Sequence, residues 1–405
     1  MWCVFPALTM SLGWGLRGSI GGGPLGAMIP GALVGLALCL LLRRNSDAGS
    51  IAAFAAIGVG FGGQETYGQT VGLSMAPETF WWAILGFAIK GAVWGLLGGA
   101  FLGIALARPG RRRVILGLLL MIGGTWIGWK LINAPKVIYF SNLLDRPREE
   151  LWAGLWLGGL FLLGWLRERI PWWFAVCGAV GGGVGFAFGA SLQPWGRGVW
   201  ATMPLGWWKA MELTFGALLG LAYGLCAWRL RGKLSDVAAQ ASPRVTRAVA
   251  AIGLAAVAVA LAILPEDGVP VRFSYTIGAA VLACLVLFSE SLAWQTAITA
   301  TYAAFAWDLL KAQKLFPESM LWIFVVVSTL LVAGVVGRNP NPGSMFLLLT
   351  WTAVASAFRY VLPPAKITPE VITMLSAFVL FAMAASAACL KLRRKGPLQA
   401  TASPA

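Results

Sequence analysis

The sequence predicts an all-α fold: a polytopic helical membrane protein of about fourteen transmembrane helices, with twelve as the lower count. Three observations predict it. Of the 405 residues, 59% are hydrophobic and 11% are charged, against about 25% charged in soluble domains. Apolar segments follow one another with few interruptions, and most are long enough, at about 1.5 Å per residue, to cross a hydrocarbon core of about 30 Å. The Lys and Arg residues gather in alternate loops, the positive-inside pattern of spanning helices.

The elements follow in chain order. The first span covers 2–20. Its start, MWCVFPALTM, has no basic leader and no A-x-A site precedes the glycine run, so it reads as an uncleaved helix. The second span, 24–42, stops at Arg43 and Arg44. Spans 50–64 and 79–107 form the next hairpin around the polar stretch GQETYGQT. Spans 113–133 and 151–166 form the third hairpin, and 171–190 and 206–229 the fourth. The segment RLRGKLSDVAAQASPRVTR is the longest polar inside loop and carries a linker over 233–247. Six more spans follow, 245–264, 272–289, 291–310, 320–337, 344–361 and 370–390, with 396–405 read as a disordered tail.

The formal charge of +16 invites a nucleic-acid reading, but its distribution removes that one. With both termini cytoplasmic, inside loops hold eighteen of the 31 Lys and Arg, from Arg43 and Arg44 through Arg111–Arg113 to Arg393 and Arg394, against three loop acids, Asp47, Glu168 and Asp236. Most other acids, among them Glu78, Glu149, Glu150 and Glu370, fall outside. The charge encodes orientation in a plasma (inner) membrane, and the partners it implies are lipid headgroups rather than nucleic acid. The six cysteines lie singly in apolar segments without metal-ligand spacing, and the chain has no histidine. The commonest general base and metal ligand are therefore missing, and no metal or cofactor is expected.

The chain changes character near 232. Residues 1–232 hold 44 of the 51 glycines and 17 of the 21 tryptophans, and 248–395 is a plainer six-helix region. The first region repeats itself. Gly58, Gly60 and Phe61 match Gly183, Gly185 and Phe186 at constant offset; Trp81-Trp82 and Trp207-Trp208 open equivalent helices; GALVGLAL (31–38), GAFLGIAL (99–106) and GALLGLAY (216–223) close them. Four parallel Gly-rich hairpin repeats are expected, with the third least like the others. The ladder Gly91, Gly95, Gly99, Gly103 and its counterparts at 181–189 and 216–224 read as surfaces of close helix packing, because lipid gives apolar helices no hydrophobic reason to associate.

The candidate site lies at the outward ends of the first helices, where glycine breaks bring polar groups to one level: Trp14 and Arg17 in GWGLRGSIGGG, Gln64, Glu65 and Tyr67 in GGQETYG, and Gln193, Trp195 and Arg197 in SLQPWGRG. Broken helices are tolerated at membrane depth only where protein or a wet cavity receives the freed backbone groups. Lys90, Lys209 and Glu212 fall within spans or near their ends and are candidates for a relay. Set against this, Trp, Arg and Lys at an interface also serve as anchors. The glycine runs lack the lysine and the preceding strand of a phosphate-binding loop. The leading expectation is a permease for a small polar, anionic organic solute. The alternatives are an enzyme of the outer leaflet, with Glu65 as base, and a structural assembly subunit.

Overall fold

The computed structural model describes residues 1–19, 22–65, 67–142, 148–234, 271–313, 317–338, 341–361 and 367–394. The described secondary structure is helical, without strands. The helices are α1 Val4–Leu16, α2 Gly23–Leu42, α3 Ala48–Gly62, the short α4 Gly68–Ser74, α5 Phe80–Ala107, α6 Arg111–Gly128, α7 Trp152–Leu166, α8 Arg169–Val199 and α9 Trp207–Leu230. In the second region they are α10 Val271–Val286, α11 Glu290–Trp294, α12 Ala300–Gln313, α13 Glu318–Arg338, α14 Pro342–Ala357 and α15 Pro369–Arg394. A π turn, Gln295–Thr299, joins α11 to α12, and another, Trp129–Asn133, prolongs α6.

Among the described residues, seven stretches are long and apolar enough to cross a membrane: Gly23–Leu42, Phe80–Ala107, Arg111–Asn133, Arg169–Val199, Trp207–Lys233, Met320–Gly337 and Pro369–Arg394. Ala48–Gly62, Trp152–Leu166 and Tyr275–Val286 are shorter apolar helices. This supports a polytopic helical membrane protein without fixing fourteen spans. The expected span 245–264 lies outside the described residues, α1 has only 13 residues, and the expected span 291–310 contains a π turn.

Six helices close into a ring in the order α1, α2, α3, α5, α8, α9 and back to α1. The recurring G-x-x-x-G pairs make the joints between hairpins. A Cβ on Gly31 would stand 2.4 Å from the Ala55 carbonyl oxygen of α3; on Gly99, 2.1 Å from that of Phe174 in α8; on Gly220, 2.2 Å from that of Pro6 in α1. The second helix of each of these three hairpins thus lays the same glycine motif against the first helix of the next. No Cβ is present to hold the backbones apart, so they meet at van der Waals distance and gain the dispersion and Cα–H contacts that hold apolar helices together. Helix α8 does this on two faces, Gly178 and Gly182 toward α5, and Gly181, Gly185 and Gly189 toward α9.

Two expectations change here. The third hairpin, α6 and α7, stands outside the ring: its helices pack on each other, with α7 reaching α5 and α6 reaching α10. The chain at 191–199 is not a glycine break, since α8 continues as a helix to Val199 with Pro194 inside it. Its face toward α9 stays in contact there, with Gly196 against the Trp207 ring. Helices α10, α11, α14 and α15 pack mainly around α1, α2 and α3 and their buried side chains join the core of the ring, whereas α13 packs on α12, where Ala306, Leu321 and Val325 make a separate small cluster.

One end of the bundle is basic. Arg44 is fully buried. Its Nε donates to both Asp47 carboxylate oxygens, at 3.1 and 3.0 Å, its Nη1 donates to the Leu106 carbonyl at 3.2 Å, and Arg108 adds a second ion pair to Asp47 at 2.9 Å. At the same end Glu290 accepts the Ser50 hydroxyl at 2.5 Å, tying α11 to α3, so its place at a turn also makes a joint. Helices α2, α5 and α7 all end on an arginine in the left-handed region, Arg43, Arg108 and Arg167.

Candidate functional site

The end opposite the basic one carries the glycine breaks. Helix α1 stops at Leu16, and Arg17–Ser19 makes a single tight 3₁₀ turn. Gly22 and Gly23 then take positive φ, 72° and 54°, which lets the chain reverse into α2. The last carbonyls of α1 lack i→i+4 partners, though that of Trp14 takes the Arg17 N–H. Two cations serve this end instead: Lys209 Nζ donates to the Gly15 carbonyl at 2.9 Å, and Arg359 Nη2 donates to that of Gly18 at 2.8 Å. Positive charge at a helix C-terminus also suits the helix dipole.

Arg17, held by this turn, is buried among aromatic rings. Its guanidinium carbon lies 5.2 Å from the Trp14 ring centroid, 5.0 Å from that of Tyr67 and 5.8 Å from that of Trp94. Its Nη2 donates to the Tyr67 hydroxyl at 2.5 Å, and that hydroxyl donates to Glu212 Oε1 at 3.0 Å. Glu212 also accepts from Trp208 Nε1 at 3.1 Å and pairs with Lys209 at 2.6 Å, while Arg17 Nε lies 3.9 Å from it. Burial pushes the Tyr67 phenol pKa up, against the pull of the Arg17 charge, so Tyr67 remains a protonated donor to Glu212. Two cations, Arg17 and Lys209, thus share one carboxylate.

This cluster walls a cavity of about 370 Å³ that opens at the same end, lined among others by Arg17, Gln64, Glu65, Tyr67, Arg148 and Trp208. Beneath it, aromatic rings fill the ring of helices: Tyr67 meets Trp94 and Phe186 edge-on at 5.9 and 5.2 Å, and Trp14, Trp94, Phe186 and Phe215 pack on one another at 4.5 to 5.7 Å. Edge-to-face packing of this kind makes a stiff floor.

The structure brings Arg17, Gln64, Glu65 and Tyr67 together as the sequence suggests, with Trp14 directly behind Arg17. It also joins Lys209 and Glu212 to them. Glu65 lines the cavity and also has a structural bond, its Oε1 accepting the Leu151 backbone N–H at 2.5 Å. Gln64 accepts from Thr276 of α10 at 3.1 Å and donates to the Phe61 carbonyl at 3.2 Å. Gln193, Trp195 and Arg197 lie apart from the cavity. Gln193 is buried against Met211 Sδ at 3.2 Å, and the other two are exposed on the last turns of α8.

Lys90 belongs to a separate buried knot. It pairs with Glu150 at 2.7 Å with both side chains fully buried, and it donates to Thr70 Oγ1 at 3.1 Å. Glu150 further accepts from Ser141 Oγ, the Phe140 N–H and Trp152 Nε1. The knot fixes the segment around 148–151 that presents Arg148 to the cavity. Sequence reasoning missed Glu150, Arg148, Trp208 and Arg359. Glu150 was legible only as one of two adjacent acids in an outside loop, and nothing local tied it to Lys90, sixty residues earlier.

Replacing Glu65 by Gln should lower stability by about 2 kcal/mol, because a charge-assisted bond to a buried N–H becomes a neutral one. Thermal unfolding of the purified variant measures this; an unchanged midpoint would show that the carboxylate does not hold Leu151. Among the described residues no group of His, Cys, Asp and Glu is placed to hold a metal ion. Comparison with family models, curated proteins and solved structures finds no match for the chain.

Proposed function

We propose that the protein is a membrane permease for a small polar, anionic organic solute, which binds in the cavity beside Arg17. The observation that carries this reading is the surplus of cations at the mouth of a closed helix ring: Arg17, Lys209 and Arg148 stand against two carboxylates, Glu212, which Arg17 and Lys209 share, and Glu65. Buried cations with incomplete neutralisation are costly in an apolar medium and mark ligand or ion pathways. The Lys- and Arg-rich end is taken as cytoplasmic, which puts both termini inside and the cavity on the outer side of the plasma membrane. The three glycine joints of the ring support an approximate threefold arrangement of parallel hairpins about the membrane normal, with α6 and α7 as an addition beside it. On this reading the aromatic floor is the closed inner gate, and fourteen spans complete the topology.

Reconstitution of the full chain in liposomes tests the proposal with a panel of labelled mono- and dicarboxylates and phosphate esters. At least one is expected to accumulate, with Arg17→Ala reducing uptake more than tenfold, since a charged hydrogen bond in a partly buried site is worth about 1.5–3 kcal/mol. Uptake of none, or uptake indifferent to Arg17→Ala, would defeat it. The lining comes wholly from one end of the bundle, which also suits an enzyme of the outer leaflet. That second reading is upheld if a panel member is chemically converted without crossing the bilayer.

A further inference from the structure

A second feature lies at the basic end, around the first turns of α8. Two grooves flank this helix. One, of about 780 Å³, is lined by Gly164, Arg167, Arg169, Trp172, Trp173 and Val176. The other, of about 450 Å³ between α8 and α9, is lined by Trp173, Cys177, Leu225, Trp228, Arg229 and Lys233, among others. They share Trp173. From it an exposed apolar stripe runs along α8 through Val176, Val180 and Val184 to Phe188, one residue per turn.

The grooves carry four cations. Arg167, Arg169, Arg229 and Lys233 form no ion pair among the described residues. The nearby acid, Glu168, is taken by Arg113 at 2.8 Å. We infer that these two grooves form a binding site for an anionic phospholipid, with its phosphate among Arg169, Arg229 and Lys233 and its acyl chains laid along the α8 stripe.

Two independent features of the surface favour a lipid over a free anion. The tryptophans Trp172, Trp173 and Trp228 sit at the level of the cations, where amphipathic rings mark the headgroup boundary of a bilayer. The stripe from Trp173 to Phe188 then runs about 22 Å at 1.5 Å per residue, enough to cover the depth of one leaflet, which is about half of a 30 Å core. A free phosphate would use the cations and leave the stripe without a role. Basic pockets between spanning helices attract acidic headgroups through charge, and each Lys or Arg near the surface contributes about a fivefold gain in affinity. The site lies at the end opposite the solute cavity and stands without it.

Native mass spectrometry of the full-length protein tests the inference, using micelles that carry equal amounts of dioleoylphosphatidylglycerol and dioleoylphosphatidylcholine. Retention of phosphatidylglycerol is expected to exceed that of phosphatidylcholine by about tenfold or more. The exposed triple change Arg169→Gln, Arg229→Gln, Lys233→Gln should bring the two close to parity. The triple change Lys391→Gln, Arg393→Gln, Arg394→Gln, at the same end on α15, should leave the preference intact. Equal retention by the wild-type chain overturns the proposal whatever the variants do. It is also overturned if the α15 variant loses as much preference as the α8–α9 variant, which would mean diffuse charge. Displacement of the lipid by millimolar inorganic phosphate would reduce the site to an anion site and sink the acyl-chain assignment.

Discussion

Replacing Lys90 by Met is expected to cost the protein about 3–5 kcal/mol of stability, the usual penalty for leaving a buried charge without its partner. The side chains of Lys90 and Glu150 are both fully buried, with 2.7 Å between Nζ and Oε1. Methionine keeps the apolar stem and removes the ammonium, so Glu150 would stay among Ser141, the Phe140 N–H and Trp152 with its charge uncompensated. The double variant Lys90→Met, Glu150→Gln should recover most of the loss. Glutamine retains an acceptor oxygen for part of that hydrogen-bond set, and a neutral pair carries no desolvation penalty for ions. Thermal unfolding of the two purified variants in one detergent decides the matter. A single variant as stable as wild type, or a double variant no better than the single, would show that the pair does not bear on the fold. Because the pair anchors the segment that carries Arg148, the single variant should also weaken solute binding, and the double variant should restore it.

The glycine joint between α5 and α8 carries the second large effect. A Cβ on Gly95 would stand 1.7 Å from the Gly178 carbonyl oxygen, and one on Gly178 would stand 2.1 Å from that of Gly95. The contact is reciprocal, backbone against backbone, and no rotamer change relieves it. The Gly95 carbonyl also accepts the Tyr223 hydroxyl of α9 at 2.9 Å, so a shift of α5 disturbs two helix pairs. Gly95→Val is therefore expected to destabilise by about 3 kcal/mol or more, at the upper end for overpacked cores, and to reduce the yield of folded protein. Gly123 and Gly164 provide the comparison. Both sit in helices, and a Cβ at either would meet nothing within 4 Å. Alanine there should be neutral or stabilising by up to about 1 kcal/mol, as expected from helix propensity alone. If Gly95→Val and Gly123→Ala behave alike, the ladder has no packing role.

These two sites divide what a linear chain reveals from what it hides. Gly91, Gly95, Gly99 and Gly103 were readable as a packing face, because a period of four residues is a property of one helix and needs no knowledge of its neighbour. The helical class, the apolar spans and the grouping of Arg17, Gln64, Glu65 and Tyr67 were legible for the same reason. Each follows from hydropathy, or from the rule that a glycine-broken helix end must find polar company. That α5 meets α8 while α6 and α7 stand outside the ring was not written in any local pattern. It depends on which glycine face fits which partner.

The partners of the charges were hidden more deeply. Lys90 and Glu150 are sixty residues apart, and Arg17 and Glu212 nearly two hundred, so only the register of packed helices brings each carboxylate within hydrogen-bond reach. Glu65 shows the same limit from the other side. Its place in a polar run between apolar helices made it look like a catalytic or coupling acid, and the fold also ties it to the Leu151 N–H, a partner that no local pattern announced. By itself the sequence determined the solvent in which this chain folds and where its helices break, since both are set by local transfer energies. Tertiary packing alone decided which buried charge meets which, because an ion pair depends on distance through space and the chain records only distance along itself.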